Sequence, residues 1–152
     1  MPESLQPADK DFSRRVQSSF DQQHAMKTIG ARMTELTPGR VVIGFNYHKK
    51  LTQQHDFIHA GILSTVMDSA CGYAAYSLMP TNAEVLTVEF KINLMSPAKG
   101  EYFYAVGEVV KAGRTISVAN CTMFAKTGET AKPVATMTGT LMTIADRPEV
   151  NR

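Results

Sequence analysis

The sequence holds no tryptophan, only two cysteines and no run of like charges. Each shortage removes a class of protein. Cys71 and Cys121 are far apart and neither belongs to a CxxC pair, so a zinc or dithiol redox motif has no ligand spacing to rest on. Thiols embedded in apolar stretches read as packing residues of a protein kept in a reducing compartment. Sixteen Lys and Arg against fourteen Asp and Glu leave a net charge of only +2. A nucleic-acid binder needs a basic stripe that is missing here. No uncharged stretch is long enough to cross a bilayer, and MPESLQPADKDFSRR lacks the charged-then-apolar layout of an export signal. The expectation is a cytoplasmic protein with no nucleic-acid partner, no membrane contact and no metal, and with a few cations available for a small anionic molecule.

What is present suffices for one domain: 152 residues, 43% of them hydrophobic. Residues 1–8, with two prolines, and the tail 146–152 are expected to be flexible, leaving 9–145 as a single folded domain. Phe12, Val16 and Phe20 recur every fourth residue and predict a short amphipathic helix. Residues 39–48 alternate, with Val41, Ile43, Phe45 and Tyr47 on one face. Residues 51–59 have no period and read as a polar loop, and 60–79 as an apolar helix ended by Pro80. In 85–95, Leu86, Val88, Phe90, Ile92 and Leu94 alternate with Thr87, Glu89, Lys91 and Asn93, a strand expected to lay its apolar face on a core. Three further strands are expected near 101–111, 114–126 and 134–145, with a tight turn at 111–114 and a looser one at 126–133. The pattern is α+β: one long apolar helix followed by a meander of strands, an antiparallel sheet curling around that helix.

That helix carries an anomaly. HAGILSTVMDSACGY (59–73) is apolar nearly all round, as core helices are, yet it contains Asp68. Burying an unpaired charge costs about several kcal/mol. At 100° per residue, Gly61, Thr65, Asp68 and Gly72 share a stripe of small and polar residues that can floor a pocket. A structural acid paired with a lysine, and a loop-ordering His59, are the bland alternatives when each residue is taken singly.

The residues together resemble the hotdog-fold acyl-CoA thioesterases, in particular the phenylacetic-acid-pathway (PaaI-like) group. The likeness rests on QQHDFIHAG, on Asp68 nine residues after His59, and on VLTVEFKINLMSPAKG. It implies a hotdog fold, with an extra helix at the N-terminal end. It also implies Asp68 as the catalytic acid, Gln53 (or Gln54) as the amide near the thioester and its water, Ala60 as a backbone oxyanion donor, and Thr87 as a water-holding hydroxyl. Two departures stand out: Ala60 replaces a glycine, which requires a negative φ, and Gln replaces a common Asn.

The chemistry fits those residue types. A thioester carbonyl needs a placed water, a base and an oxyanion donor, and the free N–H groups of a helix start, here those of Ala60 and Gly61 beside His59, supply the donor. Asp68 serves as a general base on water or as a nucleophile forming an anhydride. Asp68 and Ala60 are separated by roughly 12 Å of helix rise, too far to share one carbonyl, which predicts a site built between two chains. The resemblance implies the same, through edge-to-edge dimers that can assemble into tetramers. Coenzyme A enters as part of the substrate, with no separate cofactor, and Lys111, Arg114 and Thr115 are candidates for its phosphates. Phe57, Ile58 and Tyr73 are candidates for the acyl pocket. A hotdog hydratase or dehydratase, or an acyl-CoA sensor without turnover, are the competing readings.

Overall fold

The computed structural model describes residues 5–145, so the predicted tail at 146–152 and residues 1–4 lie outside the described part. Two helices come first, α1 (Phe12–Asp21) and α2 (His24–Ile29), then strands β1 (Arg32–Thr37) and β2 (Arg40–Asn46). The long helix α3 (Ala60–Tyr76) follows, and then β3 (Ala83–Leu94), β4 (Tyr102–Lys111), β5 (Ile116–Thr127) and β6 (Thr130–Ala145). The six strands form one antiparallel sheet in the order β1-β2-β4-β5-β6-β3. It wraps around α3, whose Val66, Met67, Ala70, Cys71 and Ala74 are wholly buried. This is the hotdog architecture.

The helix seats closely because the strands beneath it carry small residues. A Cβ added at Gly107 would stand 2.5 Å from the Ala70 carbonyl oxygen, and one at Gly139 would touch the Cys71 side chain. Cys71 and Cys121 face one another in this layer, both buried and unbridged. α1 is pinned to the far end of α3 by Arg15. Its guanidinium pairs with Asp9 at 2.9 Å, donates to the carbonyls of Tyr76 and Met79, and lies 4.2 Å from the Tyr76 ring centre. A cation there also meets the negative end of the helix dipole.

Four expectations change. The strands after α3 do not form a simple meander: β3 crosses to the edge beside β6 and never pairs with β4. The tight turn lies at Gly128 and Glu129, where Thr127 pairs with Thr130 and Gly128 adopts a φ of 57°, whereas 112–115 form the longer connection. β1 and α2 are additions: β1 is a polar edge strand and α2 a six-residue helix. The fourth concerns β3. Val85 and Thr87 face α3 by simple alternation, and a bulge between Thr87 and Glu89 then reverses the faces, so that Ile92 is the residue packed on the core beyond it. Val85 and Ile92 pack against the core, but four of the strand's large apolar side chains stay open: Leu86 is 47%, Val88 55%, Phe90 43% and Leu94 54% exposed. A twelve-residue apolar strand with one unpaired edge invites pairing with another chain.

Candidate active site

The loop before α3 is tightly organised. Thr52 and Ile58 form a bridge, the Gln53 N–H donates to the Phe57 carbonyl, and Asp56 takes a φ of 66°. The Gln53 side-chain oxygen accepts the backbone N–H groups of His55 and Phe57, leaving its NH2 group without a partner among the described residues. His59, extended at φ −60° and ψ 138°, caps the helix, its Nδ1 accepting the Gly61 N–H at 2.8 Å. Gly61, expected beside Ala60 as an oxyanion donor, is therefore engaged, and the His59 imidazole caps the helix. The carbonyl of His59 takes the N–H groups of Ile62 and Leu63. The Ala60 N–H alone of this first turn has no partner among the described residues. Ala60 has no positive φ, so its methyl group causes no strain.

Gln53 and Ala60 line a cavity of about 390 Å³ with Phe57, Ile58, Leu63, Leu94 and the Ser96-Pro97-Ala98 turn. Gln54 is exposed and outside it.

Asp68 opens elsewhere. It lines a second cavity, of about 240 Å³, with Ser19, Gln22, Gln23, Ser69, Gly72, Tyr73, Glu84, Val85 and Thr87. No cation pairs with it among the described residues, which removes the structural salt bridge as an explanation. Among the described residues the Asp68 carboxylate takes one hydrogen bond, from the Thr87 hydroxyl, donated to Oδ1 at 2.8 Å. Burial pushes the carboxyl above the ordinary aspartate range, and the Thr87 bond pulls it partly back. A base must be ionised to accept a proton, so a raised value moves the acid limb of an activity profile to higher pH. Thr87→Val removes only the opposing contribution. The limb in a kcat/KM profile is expected to shift further toward neutral pH, and an unmoved limb would uncouple Thr87 from Asp68.

The structure separates other residues expected together. Phe57 and Ile58 belong to the Gln53 cavity and Tyr73 to the Asp68 cavity. Lys111, the last residue of β4, and Arg114 and Thr115, on the β4–β5 connection, line neither. Arg114 borders a third cavity at the C-terminal end of α3, with Ala75, Leu78 and Met79. Sequence reasoning passed over Ser19, Gln22 and Gln23, which reach the site only because α1 and its junction with α2 fold back onto α3. Among the described residues no helix is long and apolar enough to cross a membrane.

Comparison with known proteins agrees with this fold. The thioesterase superfamily model matches residues 55–132, just over half of the chain and a span that includes Asp68 and Thr87. A protein of Halobacterium salinarum named as a candidate esterase is 30% identical over 114 residues, covering 72% of this chain and 75% of its own. The crystal structure of a thioesterase family protein from Silicibacter pomeroyi superposes with a TM-score of 0.87 at 53% identity, over 88% of this chain and 98% of that one. The PaaI protein of the Escherichia coli phenylacetic acid degradation operon shares the fold, with a TM-score of 0.81 at 17% identity over 91% and 96% of the two chains. The chain belongs to the thioesterase superfamily and is, by class, a thioester hydrolase.

Proposed function

We propose that this protein hydrolyses acyl-CoA thioesters in sites shared between two copies of the chain. The observation that carries the reading is the separation of the two chemical groups. An ionisable acid without a counter-ion opens into one cavity, and an unpartnered helix-start N–H borders another, with roughly 12 Å of helix between them. Neither cavity holds a complete thioesterase site. The exposed apolar edge of β3 lies between them and supplies a reason for a second copy to dock there. A two-fold pairing then brings the Gln53–Ala60 side of one copy to the Asp68 side of the other.

In that arrangement the Ala60 N–H holds the carbonyl oxygen as charge develops on it, and the Gln53 NH2 group helps orient thioester and water. Asp68, steadied by Thr87, takes the proton of the water or attacks directly. Coenzyme A leaves as the thiol, and no separate cofactor is required. Arg114, Thr115 and Lys111 are the cations and hydroxyl proposed for its phosphates.

Complementation tests the shared site. Asp68→Asn and Ala60→Pro are each assayed alone for free thiol release from a panel of acyl-CoAs, and then after co-expression. Each variant alone is expected to be nearly inactive. With random pairing about half of the dimers are mixed, one site in each is intact, and about a quarter of wild-type activity returns. A co-expressed sample as inactive as its parents would mean that both groups act within one chain.

A further inference from the structure

The Asp68 cavity has an unusual lining for the end of a fatty chain. Its inner wall is a hydrogen-bonded cluster joining α1, the α1–α2 junction and α3. The Ser69 hydroxyl donates to the Gln23 side-chain oxygen at 3.1 Å, the Gln23 NH2 group donates to the Tyr73 hydroxyl at 3.2 Å, and the Ser19 and Tyr73 hydroxyls lie 3.2 Å apart. The cluster is held firmly: Tyr73 is 5% exposed, packs edge-on against Phe20, and α1 is anchored by Arg15. Gln22 and Glu84 complete the wall, and Glu84 is close enough to Tyr73 for its charge to act on the phenol. Among the described residues, Val85 is the one large apolar side chain lining the cavity apart from the Tyr73 ring, and no Lys, Arg or His lines it.

Three consequences follow from that chemistry. An alkyl chain entering here displaces water from amide, hydroxyl and carboxylate groups and gives nothing back, which costs free energy at each unpaired group. A chain with a hydroxyl group replaces the lost water, because Glu84 and the Gln22 side-chain oxygen offer acceptors and the Ser19 hydroxyl offers a donor, the Gln22 NH2 group being turned to Ser18. A chain ending in a carboxylate meets Asp68 and Glu84 with no cation between them, and like charges at short range repel.

Resting on the hydrolase reading above, we infer that this cavity is the acyl-selectivity site. It favours neutral acyl groups bearing a hydroxyl, and Glu84, together with the Gln23-held cluster, selects against both plain alkyl and carboxylate-ended chains.

The test uses three acyl-CoAs of nearly equal length: butyryl-CoA, 4-hydroxybutyryl-CoA and succinyl-CoA. Relative kcat/KM values are compared for wild type, Glu84→Gln and Gln23→Leu. The wild type is expected to prefer the hydroxylated over the alkyl substrate by about threefold to tenfold, the effect of one hydrogen bond, and to use succinyl-CoA least. Glu84→Gln removes the charge and keeps the shape. It is expected to raise the succinyl to butyryl ratio by about tenfold. Gln23→Leu is expected to collapse the hydroxyl to alkyl preference, a change of ratio that a general loss of structure would not produce. Wild-type preference for butyryl-CoA, or ratios unmoved in both variants, overturns the selectivity assignment while leaving the hydrolase reading intact. Failure of the wild type to release thiol from all three substrates overturns both.

Discussion

Asp68→Asn is expected to lower kcat by about a hundredfold to ten-thousandfold, the range associated with removing a positioned acid or base, with a much smaller change in KM. The substitution keeps the size of the side chain and its ability to accept the Thr87 hydrogen bond. What it loses is the capacity to take a proton or to attack. The variant is also expected to melt no lower than wild type at neutral pH. A carboxyl raised by burial binds its proton more readily in the folded than in the unfolded chain. Its ionised form therefore costs stability above the folded pKa, and that cost disappears as the pH falls below the unfolded value. An amide carries no such cost. Lost activity with kept or increased thermal stability is the signature of an acid retained for chemistry. A variant that turns over at the wild-type rate would take Asp68 out of the mechanism, and one that melts well below wild type would make it structural.

The second large effect is expected from Ala60→Pro. Proline has no N–H, so the donor disappears, while its fixed φ suits the first position of a helix. His59 already has the extended backbone that a residue before proline requires. The helix should therefore form normally and the reaction should not. Loss of one oxyanion donor costs about 2.7–4 kcal/mol of transition-state stabilisation, about a hundredfold to a thousandfold in kcat. Ala60→Gly separates the donor from the methyl group, since it keeps the N–H, and its activity must fall far less than that of Ala60→Pro. Equal losses in the two variants would place the oxyanion elsewhere. Far-ultraviolet circular dichroism of both variants checks that the helix is intact.

How much of this was legible before any coordinates is clearest on α3. An all-round apolar helix with a stripe of small and polar residues marks itself by composition, and Asp68, His59 and Ala60 follow from that one stretch. The distance along the helix, which separates the two halves of the site, is also plain arithmetic. Strand β3 was legible as a strand but not in its burial. Period-two alternation cannot announce the bulge at Thr87–Glu89, nor that Leu86, Val88, Phe90 and Leu94 stay exposed. The polar strand β1 and the six-residue α2 escaped because neither has enough apolar residues to establish a period. Gln23 and Ser19 left no local signal at all. Their contacts with Tyr73 and Ser69 span about fifty positions of sequence and exist only because Arg15 ties α1 to the end of α3.

The glycine under the middle of α3 has a consequence of another kind. With the Ala70 backbone pressed onto Gly107 at a distance that leaves no place for a methyl group, α3 can neither slide along the sheet nor roll over it without collision. The rod that bears the acid at one point and the free amide at another is bolted at its midpoint, so the gauge between them is a constant of the molecule. Accommodation of one acyl group or another must then come from the upholstery around that rod, and a lineage adapting to new substrates would rewrite positions such as 19, 22, 23 and 84 while leaving the frame untouched.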